Sequence, residues 1–267
     1  MSILNVTPDS FYAPSRTGNS AEEIVERAGR MLQDGAKILD IGGISSRPGA
    51  IEIELQEEID RVIPPIHMLK KAFPEVIISI DTYRSAVAEL AIKAGATMVN
   101  DISGGTLDPD MIGVLASQKS AFVLMHMRGK PAVMQNLTHY NGLISEVTSY
   151  FVNKLRILHQ YDIREIILDP GFGFSKTVEQ NFQLVNHLRT FRFLECPVLI
   201  GLSRKSSLSQ VVGRPSEETL DATTALHMVA LENGASILRV HDVKPAMDAI
   251  AIFNKLQEAK NHSYNRL

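Results

Sequence analysis

Val76-Ile77-Ile78-Ser79-Ile80-Asp81-Thr82 is an apolar, β-branched run that stops on a carboxylate. A run so apolar suits a strand covered on both faces, as in a parallel sheet, and it is far shorter than the roughly 18 apolar residues of a membrane span. The same form recurs along the chain. The spacing predicts strands over Ile3-Val6, Ile38-Ile41, Val76-Ile80, Met98-Asn100, Ala121-Met125, Ile166-Leu168, Val198-Gly201 and Ile237-Val240, each followed by a longer amphipathic segment. Eight such rounds predict a (β/α)8 TIM barrel. A doubly wound open sheet is the rival, but no Gly-x-Gly-x-x-Gly follows the first strand.

The 267 residues match the roughly 250 of one such barrel, so a single domain over 1–267 is expected. A hydrophobic content of 45% is enough to fill one large core. Ser20 and Glu23 form a capping-box pattern for the first helix, and Gly35 is placed to end it. Pro64-Pro65 is expected to kink or split the second helix, whose apolar face runs from Leu55 to Leu69. In the last helix Ile250, Phe253 and Leu256 are expected to face inward.

A net charge of -3 offers no broad cationic field, which excludes nucleic acid and anionic membrane as main partners. One cysteine, Cys196, rules out an internal disulfide and points to a reducing compartment, the cytoplasm. Met1-Ser2-Ile3-Leu4 turns polar at Asn5 without a basic region, unlike a signal peptide.

In a barrel of this kind the active site is built on the C-terminal ends of the strands. Here those ends carry Asn5, Asp40, Asp81, Asn100-Asp101, His126, Asp169, the run Ser203-Arg204-Lys205-Ser206, and Arg239-Val240-His241-Asp242. Taken singly, Asp9, Asp40 and Asp242 read as helix caps or turn residues, and His126 as a satisfied residue of the barrel mouth. Taken together, Asp81, Asn100 and Asp169 end three apolar strands and should converge. Two carboxylates and an amide suit a ligand edge with adjacent N–H donors, such as an aminopyrimidinone, with Lys205 donating to its carbonyl oxygen. Arg239 and His241, two apart on the last strand, point to one side and can meet an anion.

Five spaced motifs carry a resemblance to the dihydropteroate synthases: Asn5-Val6-Thr7-Pro8-Asp9-Ser10-Phe11; Asp40-Ile41-Gly42-Gly43 with Ser46-Arg47-Pro48-Gly49; Asp169-Pro170-Gly171-Phe172-Gly173-Phe174; Ser203-Arg204-Lys205-Ser206; and Arg239-Val240-His241-Asp242. The match runs from about Ile3 to Ala259. That family joins 4-aminobenzoate to 6-hydroxymethyl-7,8-dihydropterin diphosphate, releasing pyrophosphate and 7,8-dihydropteroate, and is the target of sulfonamides. The resemblance implies that Asp81, Asn100, Asp169, Phe174, Lys205 and Arg239 hold the pterin. It implies that Asn5, Arg239 and His241 handle the pyrophosphate, with Asn5 on a shared Mg²⁺, and that Ser46, Arg47, Pro48, Lys205 and Ser206 form the aminobenzoate site. It further implies a homodimer, and closure of the loops Thr7 to Asn19 and Ile44 to Glu52 over the substrates. The chain departs from the family at Ile44, where an acidic residue is usual, and at Tyr12-Ala13-Pro14-Ser15-Arg16, which replaces a small Asp-Gly-rich run. Its first strand begins almost at Met1, so the barrel floor is expected to lack the family's preceding segment. The alternatives weighed are a Schiff-base aldolase using Lys205, a pterin-dependent methyltransferase, and a pterin-binding paralogue without turnover.

Overall fold

Strands and helices alternate throughout the computed structural model, in which residues 1–6, 20–44 and 53–264 are described. Along the chain these are β1 (Ser2–Asn5), α1 (Ser20–Gln33), β2 (Ile38–Gly42), α2 (Leu55–Ala72), β3 (Ile77–Asp81), α3 (Ser85–Lys93), β4 (Met98–Asp101), α4 (Met111–Gln118) and β5 (Ala121–Met125). There follow α5 (Leu143–Gln160), β6 (Ile166–Asp169), α6 (Val178–Asn186), β7 (Leu199–Ile200), α7 (Ser206–Val212), α8 (Leu220–Glu232), β8 (Ile237–Leu238) and α9 (Val243–Tyr264).

β1 to β6 pair in parallel in chain order, and β7 pairs with β8. Two bridges join the pieces into a ring, Leu168 to Val198 and Ser2 to Val240. The Leu168 N–H donates to the Pro197 carbonyl and the Ile3 N–H to the Val240 carbonyl, both at 2.9 Å. The last two strands are shorter than expected because Val198 and Val240 take part only through these single bridges.

Alternate residues on each strand face opposite sides, and this sets where the site can be. One set of faces, including Leu39, Ile41, Ile78, Ile80, Phe122 and Leu124, is buried with Ile66 and Leu69 of α2, Phe151 of α5 and Leu184 of α6. The other set fills the barrel interior, where Met98, Val123, Ile167 and Leu199 form a separate apolar cluster bordered by Ile38, Ala121 and Ile237. Two residues further along the interior face the side chains turn polar. On β2 Ile38 gives way to Asp40, on β4 Met98 to Asn100, on β6 Ile167 to Asp169, and beyond β8 Ile237 to Arg239. The barrel therefore has an apolar floor and a polar mouth.

Contrary to expectation, Pro64 and Pro65 do not split α2, which runs unbroken from Leu55 to Ala72. Pro64 lies on the exposed side, where a carbonyl that has lost its intrahelical donor can turn to water, while Val62, Pro65, Ile66 and Leu69 stay packed on the core. Gly35, at φ +106°, ends α1 as its left-handed turn requires. The Ser20 side chain lies outside the described residues. Leu256 is 49% exposed rather than inward, whereas Ile250 and Phe253 pack against the core.

Phe122 is fully buried between barrel and helices. Phe122→Ala is expected to destabilise the fold by about 3–5 kcal/mol in denaturant unfolding. A change below about 1 kcal/mol would show that the shell does not pack there as described.

Candidate active site

The parallel register brings residues of four strands to one level of the mouth, three of them polar. Asn5 pairs with Gly42, Gly42 with Asp81, and Asp81 with Asn100. Because Gly42 has no side chain, the space between Asn5 and Asp81 is open: a Cβ there would lie 3.5 Å from the Asp81 Cβ and 3.6 Å from Asn5 Oδ1.

Arg239 reaches across this level from beyond β8. Its Nε donates to Asp40 Oδ2 at 2.6 Å and its Nη2 to Asp81 Oδ2 at 2.5 Å. Asp40 Oδ2 also accepts from Asn100 Nδ2 at 3.0 Å. A carboxylate only accepts, so Asp40 sets the Asn100 amide with its NH2 inward and leaves Oδ1 to accept from a ligand. Among the described residues, Nη1 of Arg239 is the guanidinium donor group left unengaged. Burial pushes the Asp81 carboxyl up to about 7 against the pull of Arg239, with Asp40 adding to the rise. Burial alone would lower the Arg239 pKa, but Asp40 and Asp81 more than offset it and hold the group above its ordinary value.

The loop after β6 supplies the opposite wall. Asp169 Oδ1 accepts from the Gly171 N–H at 2.8 Å, and burial raises its pKa. Gly173 has φ +84°, and a Cβ there would come within 3.2 Å of the Lys205 side chain, so the motif needs glycine at this point. Its N–H donates to Asn181 Oδ1 at 2.7 Å, and Asn181 Nδ2 donates to Ser207 Oγ at 3.0 Å, which ties this loop to α7. Phe174 packs with Ile102, Met125 and Met134, and Tyr83 and Met127 border the group. Lys205 Nζ stands 4.2 Å from the Phe174 ring centroid, a cation–π contact. Burial lowers its pKa to about 8; Arg239 adds to the fall, while Asp169 and Asp81 oppose it.

On the remaining side, Ser203 Oγ accepts from the His241 N–H at 3.2 Å and lies 3.1 Å from its Nδ1. Asp242 accepts from Arg204 Nε and Nη2 at 2.8 and 3.0 Å, fastening the β7 and β8 ends together. Ser206 is exposed and opens α7. Ser46, Arg47, Pro48 and Asp9 lie outside the described residues, as do most of the two loops expected to close. His126 is buried and packs edge-on to Tyr150, in keeping with a satisfied residue.

Asp81, Asn100, Asp169, Phe174, Lys205 and Arg239 thus line one mouth, with Asn5 beside Asp81. One single-residue reading needs correction: Asp40 is an interior residue holding both Arg239 and Asn100. Asp242 stands directly before α9, where a cap or turn residue is expected, and its carboxylate is engaged with Arg204. The signal for Asp40 was present: it stands two residues after Ile38 on the interior face of β2. Among the described residues no group of three or more His, Cys, Asp or Glu could hold a metal ion. A hard cation at this mouth would instead use an amide oxygen such as Asn5 Oδ1 together with the oxygens of its ligand.

The chain matches the family described as pterin binding enzyme over residues 1–241. It is 45% identical over 247 residues to a dihydropteroate synthase of Synechocystis sp., covering 91% of this chain and 85% of the relative. In structure it resembles the Yersinia pestis dihydropteroate synthase in a sulfonamide drug complex, with a TM-score of 0.90 and 37% identity over 96% of this chain and 93% of that one. It also resembles the Xanthomonas albilineans dihydropteroate synthase with 4-aminobenzoic acid, with a TM-score of 0.89 and 37% identity over 96% of this chain and 92% of that one.

Removing one partner of a buried ion pair strands the other. Asp40→Ala is therefore expected to destabilise the fold by about 3–5 kcal/mol in denaturant titration, and the triple replacement Asp40→Leu, Asp81→Leu and Arg239→Met, which leaves no charged member of the cluster without its partner, to recover most of the loss. A triple variant as unstable as the single one would show that unpaired buried charge is not the cause.

Proposed function

Because the chain belongs to the dihydropteroate synthase family of pterin binding enzymes, we infer that it condenses 6-hydroxymethyl-7,8-dihydropterin diphosphate with 4-aminobenzoate to give 7,8-dihydropteroate and pyrophosphate. The observation that carries this reading is the grouping of Asp81, Asn100, Asp169 and Lys205 around one mouth walled by Phe174. The two carboxylates and the Asn100 oxygen offer acceptors for the amino and ring N–H groups of the pterin. Lys205 offers a cationic donor for its carbonyl.

In the reaction the C–O bond to the diphosphate breaks and the leaving group takes the electron pair. The free Nη1 edge of Arg239 and the His241 ring are the donors for that charge. The positive charge left on the dihydropterin is stabilised by Asp81 and Asp169. The arylamine nitrogen then forms the C–N bond and loses a proton, so no strong general base is needed. Ser46, Arg47, Pro48 and Ser206, with Lys205, are assigned to the aminobenzoate, and the two loops that follow β1 and β2 to excluding water. Mg²⁺, held by Asn5 and the diphosphate, would supply charge neutralisation to the leaving group.

The family resemblance implies a homodimer, and the exposed Val211 of α7, Val229 of α8, and Ile252 and Leu256 of α9 are apolar residues that such an interface could cover. None of the described helices is long and apolar enough to cross a membrane. The lone, part-buried Cys196 agrees with a cytoplasmic setting.

Incubation of the purified protein with both substrates and Mg²⁺ should yield 7,8-dihydropteroate and pyrophosphate, and no product would overturn the reading. In the same assay Asp169→Ala should weaken pterin binding at least about a hundredfold, since a buried carboxylate acceptor is worth several kcal/mol to a ligand N–H donor. Lys205 carries its proton below about pH 8 and loses it above. Pterin affinity should therefore decline as pH rises through about 8, and the component of that decline centred near 8 should be absent in Lys205→Arg. An identical component in that variant would assign it to another group.

A further inference from the structure

We propose that Lys176 is a positioning residue for pterin recognition, its buried ammonium holding the Asp169–Phe174 loop in place against the end of β5. The proposal rests on the functional reading above and adds a residue outside the set expected to contact the pterin, one that acts through the backbone of that set.

The Lys176 side chain is only 4% exposed. Its Nζ donates to the Phe174 carbonyl at 2.9 Å and the Gly171 carbonyl at 3.1 Å, and lies 3.1 Å from His126 Nδ1. The three acceptors account for the three N–H bonds of an ammonium ion. A fourth, longer approach of 3.5 Å is to the His126 carbonyl. No carboxylate pairs with the ammonium among the described ion pairs, so its charge is solvated by carbonyl dipoles and an imidazole lone pair.

The acceptors sit where the pterin wall is made. Asp169 begins the turn by accepting from Gly171, and Phe174 completes it by donating its N–H to the Gly171 carbonyl at 3.1 Å. The same Gly171 carbonyl also accepts from Lys176. The ammonium therefore ties together the Gly171 and Phe174 carbonyls, the part of the loop that runs from just after Asp169 to Phe174. Gly171 adopts φ +73°, and a Cβ there would stand 2.1 Å from the His126 carbonyl, so the turn passes directly over the end of β5. His126 can serve as a lasting acceptor because burial, with Lys176 and Arg128, lowers its pKa to about 2 and keeps it neutral. Its proton then belongs on Nε2. Burial lowers the Lys176 pKa to about 7; Asp169 from β6 favours the ammonium, while Arg128 after β5 and Lys205 after β7 oppose it.

The test is steady-state kinetics of Lys176→Met, which keeps the chain length but has no donor, and of Lys176→Gln, which keeps a shorter neutral one. The Michaelis constant for the pterin diphosphate should rise at least tenfold in the methionine variant and less in the glutamine variant. That for 4-aminobenzoate should stay within about twofold in both. A general loss of structure would move both constants together. Turnover by the unaltered protein with an unchanged pterin constant in folded Lys176→Met overturns the proposal alone, whereas no turnover by the unaltered protein overturns the functional reading. Should neither variant fold, ¹⁵N spectroscopy of the unaltered protein at pH 6 decides. A slowly exchanging Lys176 ammonium supports the clamp, and a fast-exchanging or neutral amine overturns it.

Discussion

The guanidinium of Arg239, held between Asp40 and Asp81 inside the barrel, is the constraint around which the mouth is arranged. Burying any of these charges alone would be prohibitive, and a pair repays its desolvation only with good geometry and satisfied remaining atoms. The arrangement meets this through short contacts from two guanidinium nitrogens and through Asn100, which shares the Asp40 oxygen. The partners come from strands far apart in the chain: Arg239 lies 199 residues from Asp40 and 158 from Asp81. The clamp therefore exists only once the ring is closed, and site assembly and barrel closure are one event.

The interior carries further charge under the same condition. Three carboxylates, Asp40, Asp81 and Asp169, are set against Arg239, Lys205 and Lys176 in the barrel mouth and the loops above it. Burial pushes Asp81 towards neutrality from the acid side and both lysines from the basic side, which brings three groups to pKa values between about 7 and 8. The charges at this mouth are thus held by their partners rather than by water, which fixes them in place for a reaction that separates charge between a heterocycle and a leaving diphosphate. The apolar floor of Met98, Val123, Ile167 and Leu199 keeps this polar layer at the end of the barrel where loops can cover it.

What the amino-acid sequence by itself determined was local. Eight apolar runs, with a polar residue two places beyond an apolar one, identified the strands and their functional ends, because strand alternation has a fixed period of two and needs no knowledge of neighbours. Asp81, Asn100, Asp169 and Arg239 were legible in this way. The aminobenzoate residues Ser46, Arg47 and Pro48 were assigned through family resemblance, since no local period marks a binding loop. Only the tertiary structure decided that Asp40 is an interior anchor rather than a cap, that Arg239 lies between two carboxylates, that α2 survives its prolines, and that Lys176 lies against the Asp169–Phe174 loop. Each depends on the register and closure of the barrel, which bring together atoms tens to hundreds of residues apart. Burial then turns charges that are ordinary along a chain into groups that must find partners.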